Sequence, residues 1–190
     1  MSEFRQTNYS GATSLKNMTQ QLQFQMESVP TPTGIMRLIS DADGAVRALD
    51  WDDHEPRLLR LLRLHYGEGG ARLQPRSEVS AARRALEAYF DGEMGALDAL
   101  PVHVGGTPFQ RQVWTALRDI PVGATECYAG LASRIGREKA TRAVGMANNG
   151  NPVAIIVPCH RVIGRNGALT GYGGGLERKL WLLRHEGALI

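Results

Sequence analysis

Cysteine is scarce in this chain of 190 residues: Cys127 and Cys159 are its two copies. With no C-x-x-C spacing they exclude a disulfide scaffold, and with five scattered histidines they give no zinc-finger spacing. Long apolar runs are missing too, which excludes a membrane-spanning helix. Residues 1–23 lack the continuous apolar core of a secretory signal. These absences leave a soluble, cytoplasmic protein as the expectation. A reducing compartment would keep Cys159 a free thiol. At 43% apolar and 22% charged residues the composition is globular, and the length suits one large domain or two small ones.

The net charge of +3 hides an asymmetry. Residues 1–104 hold 11 Lys and Arg against 14 Asp and Glu, a balance of −3, whereas residues 105–190 hold 11 against 5, a balance of +6. The basic half suits an anionic partner such as nucleic acid. A solvated basic face explains the same charge equally well.

The pattern reads as α+β. Residues 1–23, rich in Asn, Gln, Ser and Thr, read as a flexible extension with a weak helix around Leu15, Met18 and Leu22. "FQMESV", "GIMRLIS" and "AVRALDW" are strand-like, separated by the turn sequences "PTPTG" and "DADG". "EPRLLRLLRLHY" places Leu58, Leu61, Leu62 and His65 on one helical face. "GEGGARLQP" separates it from "SEVSAARRALEAYF", a helix expected to start on Ser77 as N-cap and to bury Val79, Leu86 and Phe90. Residues 24–100 therefore form a small supporting domain, and "GALDALPVHVGG" is the expected linker to a second domain over 105–190. There, Thr107, Pro108 and Gln110 carry a capping box for a helix with Phe109, Val113, Trp114 and Leu117 inward. A helix from Tyr128 to Ile135, a turn at Gly136 and a basic helix from about Glu138 to Asn148 have the helix-turn-helix pattern. Arg134, Arg137, Lys139 and Arg142 cluster there. "VAIIVPCHRVIG" reads as strand on both sides of Pro158. A glycine-rich loop follows, and then a last helix with Leu176, Leu180 and Leu183 on its apolar side and Gly187 as its cap.

Cys159 and His160 stand side by side. A reactive thiol needs a base or a positive charge nearby. Neighbours on a strand point to opposite faces, so direct contact between them needs a turn at Pro158 or a bridging water. A nucleophile–base pair also needs a third group to orient the imidazole, and Glu186 in "RHEG" is the candidate. On these residues alone a packed thiol beside a core histidine has the better claim. Cys127, at the start of a helix, reads as structural.

The longer stretch shifts the balance. "RAVGMANNGNP", "PCHRVIGRNGALTGYGGG" and "KLWLLRHEG" together closely resemble the O6-alkylguanine-DNA alkyltransferases, the bacterial Ogt type most of all. The resemblance is dense over residues 105–190 and looser over 24–104. It implies a small ribonuclease H-like α/β domain ahead of a mainly helical domain with a helix-turn-helix and an active-site cysteine loop. It implies that Cys159 accepts the alkyl group, that His160 acts as base through water, and that Glu186 orients His160. By the same resemblance Tyr128 helps rotate the nucleotide and assists the leaving guanine. Arg142 takes the place of the extruded base, on a helix that enters the minor groove. Ala143 and Gly145 of the same motif, with Arg134, Arg137 and Lys139, face the DNA. Asn151 ties the helix-turn-helix to the cysteine loop that includes Pro158. Tyr172 and Gly173 line the guanine pocket. Many relatives have serine where Gly173 stands, so a backbone N–H would serve there in place of a hydroxyl.

The implied activity is irreversible, one-use transfer of an alkyl group from O6-alkylguanine, and from O4-alkylthymine, to the cysteine. The implied partner is alkylated double-stranded DNA, without a membrane. The chain is expected to act as a monomer, with cooperative binding along DNA left open. No cofactor and no metal are expected; the zinc that some relatives carry would find no cysteine in this N-terminal half. Three rivals stand beside this reading: a DNA-damage sensor without transfer, which the presence of Cys159 disfavours; a cysteine hydrolase, which would leave the basic helices unexplained; and a transcription factor switched by alkylation, for which no second sensor domain is visible.

Overall fold

The computed structural model describes residues 22–69 and 71–188. The helix expected around Leu15 and Met18 lies outside the described residues. Leu22 and Gln23, read as extension, instead open the first strand because they pair with Ala71 and Arg72.

Strands β1 (Leu22–Thr31), β2 (Gly34–Ser40) and β3 (Val46–Trp51) form an antiparallel meander. Its first turn needs Gly34, which sits at φ 117°. In the second turn the Asp41 carboxylate accepts the N–H groups of Asp43 and Ala45. Helix α1 (Glu55–Tyr66) then crosses the sheet and delivers β4 (Ala71–Pro75) parallel to β1, giving the order β3-β2-β1-β4. Residues 71–75 lie in the stretch "GEGGARLQP" that separates the two helices in the sequence. Their pairing to the edge of β1 overrides weak local propensity.

Strand alternation sorts the side chains to two faces. Phe24, Ile39 and Ala48 meet Leu58 and Leu62 of α1. Met36, Leu38, Leu49 and Trp51 join a larger core that includes Leu86 and Tyr89 of α2 (Ala81–Phe90) and runs without a break into the second half of the chain. Helix α2 is capped by Ser80, whose side chain accepts the Arg83 N–H, rather than by Ser77. It therefore starts later than expected, and Val79 is exposed at 44% instead of buried.

Residues 91–107 are not a free linker. Leu97 and Leu100 are buried, and Val46 bonds to Pro101 and His103 along the outer edge of β3. Further along that edge, Leu49 exchanges backbone hydrogen bonds with Pro152 and Ala154. The sheet edge thus holds the segment that leads to Cys159, and pairing it also protects it.

Helix α3 (Pro108–Arg118) begins with the capping box of Thr107 and Gln110 and buries Val113, Trp114 and Leu117. Strand β5 (Glu126–Cys127) leads into α4 (Tyr128–Arg134). Gly136, at φ 67°, makes the turn. The basic helix expected over 138–148 is split into a 3-10 turn at Glu138–Ala140 and α5 (Thr141–Asn149). Strand β6 (Val162–Ile163) pairs parallel to β5, and α6 (Leu176–His185) closes the fold with Gly187 at φ 73° behind it. The buried side of α6 is Lys179, Leu182 and Leu183, while Leu176 is exposed and Leu180 half-buried. The buried lysine rotates this face away from the leucine stripe read from the sequence.

Ser80→Ala should lower the unfolding free energy by about 1 kcal/mol, the usual worth of an N-cap, with Ser77→Ala within about 0.5 kcal/mol of wild type. Urea titration followed by circular dichroism distinguishes the two.

Candidate active site

The segment before Cys159 is not a strand. Residues 153–157 form tight turns, and the β-branched Ile155 sits at φ 67°. That conformation stores strain of about 1–3 kcal/mol, which persists only where surroundings dictate it. Asn151 dictates much of it. Its Nδ2 donates to the carbonyl of Val157 at 2.8 Å and to Cys159 Sγ at 3.2 Å, while its Oδ1 accepts the Val153 N–H. Asn148, from the last turn of α5, donates to the carbonyl of Cys159. The end of the second helix-turn-helix helix and the cysteine loop are therefore one bonded unit. Pro158 starts a 3-10 turn over Cys159–Arg161, so strand alternation does not apply to Cys159 and His160.

Behind the turn lies a buried carboxylate. Glu186 Oε1 accepts from His160 Nε2 at 3.0 Å, from Tyr89 Oη at 2.8 Å and from Arg161 Nη2 at 2.9 Å, and Oε2 accepts from Arg161 Nε at 2.8 Å. Arg161 also donates to the Ile120 carbonyl. Burial pushes Glu186 towards neutrality, but the hydrogen bonds from His160 and Arg161, with the Arg161 charge, outweigh it and hold the carboxyl well below its usual range. Burial lowers His160 despite Glu186, so the imidazole is neutral at pH 7. Facing a carboxylate, Nε2 carries the proton, and Nδ1 is a lone pair, buried without a protein partner among the described residues. Burial raises the Cys159 thiol, opposed by the Asn151 hydrogen bond and by the charges of Arg57 and Lys179. The cysteine therefore rests as a thiol, next in the chain to a neutral histidine whose Nδ1 lone pair is free.

A cavity of about 130 Å³ opens on Cys159, lined by Tyr128, Gly145, Asn148, Asn149, Gly171, Tyr172 and Gly173. Tyr128 donates to the Thr170 carbonyl at a loose 3.4 Å. Tyr172 lies edge-on to His160, and its buried hydroxyl has no protein partner among the described residues. Among the basic residues, Arg137, Lys139 and Arg142 are exposed, as is Ala143, while Arg134 lies 3.7 Å from Glu126. Gly145 is half-buried, with the Tyr128 ring 3.9 Å from where a Cβ would stand. Cys127 Sγ accepts the Gly130 N–H and caps α4. Among the described residues no three His, Cys, Asp or Glu side chains are grouped as a metal site needs.

The structure adds residues that sequence reasoning passed over. The corner between β3 and α1 presses on the glycine loop: His54 bonds the Gly173 carbonyl at 2.7 Å, and Trp51 packs against Tyr172. Arg57 pairs with the buried Asp50 and donates to the carbonyls of Asn149 and Asn151. A Cβ on Gly173 would stand 2.6 Å from this guanidinium, and one on Gly174 would stand 2.3 Å from the Trp51 ring. Lys179, lowered to about 8 by burial, donates to the carbonyls of Val162 and Thr170. Arg161 and Lys179 carry no local sequence signal, because charged residues read as solvent-facing.

A basic helix pair that shares a wall with a buried cysteine and its base has the layout of a protein that presents a thiol to nucleic acid. Residues 108–188 match the family model of the 6-O-methylguanine DNA methyltransferase DNA-binding domain. A methylated-DNA–protein-cysteine methyltransferase of Shigella flexneri is 47% identical over 164 residues, which span 86% of this chain and 96% of that protein. The namesake from Methanosarcina acetivorans is 57% identical over 107 residues, 56% of this chain and 68% of that one. Among solved structures, the Mycobacterium tuberculosis O6-methylguanine methyltransferase superposes with a TM-score of 0.70 at 37% identity, covering 88% of this chain and 93% of that one. The M. tuberculosis protein in complex with DNA gives 0.70 at 36% identity, covering 88% and 94%. The chain belongs to the methylated-DNA–protein-cysteine methyltransferase family.

Both shifts behind Cys159 favour the deprotonated group in the folded chain. Stability should therefore fall as pH drops through the ordinary His value of 6.5, and again below the ordinary Glu value of 4.5 as the depressed carboxyl is protonated. Glu186→Gln should cost about 3–5 kcal/mol by leaving Arg161 buried without its charge partner, and should flatten the lower limb of a plot of Tm against pH.

Proposed function

We propose that the chain repairs alkylated duplex DNA by moving an alkyl group from O6 of guanine, or O4 of thymine, onto Cys159, once per molecule. The observation that carries this reading is the shared wall: the cavity over Cys159 is bounded by Gly145, Asn148 and Asn149 of the second helix of the helix-turn-helix. A base delivered by DNA lying on that helix has the thiol as its neighbour.

The target atom lies inside the duplex, so the nucleotide must be flipped out at a cost of a few kcal/mol, less for a poorly paired damaged base. Arg142, exposed on α5, fills the vacated space, and Arg134, Arg137 and Lys139 hold phosphates without regard to sequence. The Cys159 proton passes through one water to His160 Nδ1, and Glu186 stabilises the imidazolium that results. The thiolate attacks the sp³ carbon; an S–C bond forms, the C–O bond breaks, and its electron pair stays on the guanine. Tyr128 donates a hydrogen bond as charge develops on the departing base. Tyr172 and the backbone at Gly173 bound the base, and Asn151 with Pro158 holds the loop in shape. The product is a thioether, which neither water nor thiols cleave, so the protein acts once. The chain works as a cytoplasmic monomer on DNA.

Intact-protein mass spectrometry after mixing with duplex DNA containing O6-methylguanine should show one added methyl, mapped to Cys159, with activity then exhausted. Repeated turnover would point to a hydrolase; DNA binding without a mass change would point to a damage sensor. Arg142→Ala should slow transfer from duplex more than attack on free O6-benzylguanine, and equal slowing of both would remove Arg142 from the flipping step.

A further inference from the structure

A lone exposed apolar side chain is ordinary on a protein surface, but Met146 has a particular location. It is 75% exposed, the most of any large apolar residue among those described, and it stands on α5. That helix buries Val144, Ala147 and Asn148. Its outward side carries Arg142, Ala143, Met146 and Asn149, all exposed. Steps of three and four residues align these in a single stripe. Arg142 supplies the charge, and Ala143 is too small to hold the helix away from whatever it faces. The adjoining edge of the helix, at Gly145 and Asn148, lines the cavity over Cys159. A nucleotide that enters the cavity therefore leaves its stacking neighbours opposite this stripe.

Those neighbours offer what Met146 lacks. Flipping a nucleotide bares the flat apolar faces of the bases on either side. Residues four apart on a helix have Cβ atoms about 6 Å apart, against a rise of about 3.4 Å per base. With Arg142 in the vacated position, that spacing would put Met146 within two steps of it. Methionine is among the side chains that minor-groove proteins insert between bases to unstack them.

We infer that Met146 is an apolar wedge that enters the base stack beside the vacated nucleotide and favours its extrusion. The inference rests on the duplex-repair reading above. It makes Met146 a residue that sets how well this chain handles duplex as opposed to free substrate.

Single-turnover rates of wild type, Met146→Ala and Met146→Leu on O6-methylguanine duplex and on free O6-benzylguanine test it. Met146→Ala should lower the duplex rate relative to the free-base rate by about tenfold, and Met146→Leu should keep most of the wild-type ratio because leucine also serves as a wedge. A 2-aminopurine next to the lesion should brighten on binding wild type and brighten less with Met146→Ala. An unchanged ratio together with unchanged fluorescence overturns the wedge alone. A wild-type chain that transfers nothing from duplex sinks the repair reading, and the wedge with it.

Discussion

The Glu186 carboxylate is the junction on which the site depends. It accepts from Tyr89 on α2, from His160 and Arg161 on the cysteine turn, and it sits at the end of α6. A buried charge is tolerated only when its lone pairs are satisfied. Four donors satisfy this one, and they come from both halves of the chain. The electrostatic need of one carboxylate thus ties the N-terminal core to the turn that presents the thiol. It also fixes the histidine tautomer, which leaves Nδ1 as the free lone pair.

The N-terminal half is more than a support. The edge of β3 bonds the segment before the cysteine, and the corner after β3 shapes the loop on the far side of the cavity. Arg57, on α1, reaches three places at once: Asp50 on β3, the end of α5 at Asn149, and the start of the cysteine loop at Asn151. The glycines at 173 and 174 follow from this approach, since a side chain at either position would meet Arg57 or Trp51. A serine at 173 would compete with Arg57 for the same space, so glycine there lets a cation from the other half lie against the loop.

Much of this was legible in the sequence, for definite reasons. The capping box at Thr107 and the amphipathic stripes of α1 and α3 are local signals, and the structure keeps them. The chemistry of Cys159 was not legible from its neighbours, because strand-like residues "VAIIV" fold into turns held by Asn151 and a strained Ile155. The resemblance, spread over several motifs, supplied what local pattern withheld. What neither supplied depends on long-range burial. Lys179 and Arg161 read as surface charges and are interior hydrogen-bond donors, and β4 forms because an edge of β1 is available to it. Such features are set by what the rest of the chain brings near, not by the residues beside them.

A protein that reacts once has reason to keep its nucleophile quiet. Thiolates are the species open to oxidation and to stray electrophiles. Cys159 is 5% exposed, and burial favours its neutral form. The means of ionising it are close by: Asn151 on the sulfur, two cations from Arg57 and Lys179, and a neutral imidazole backed by a carboxylate. None of these overcomes desolvation in the resting chain. On the proposed reading, a substrate in the cavity makes proton transfer productive by consuming the thiolate as it forms. Occupancy of the pocket would then gate reactivity, and the thiol would not be spent before a damaged base arrives.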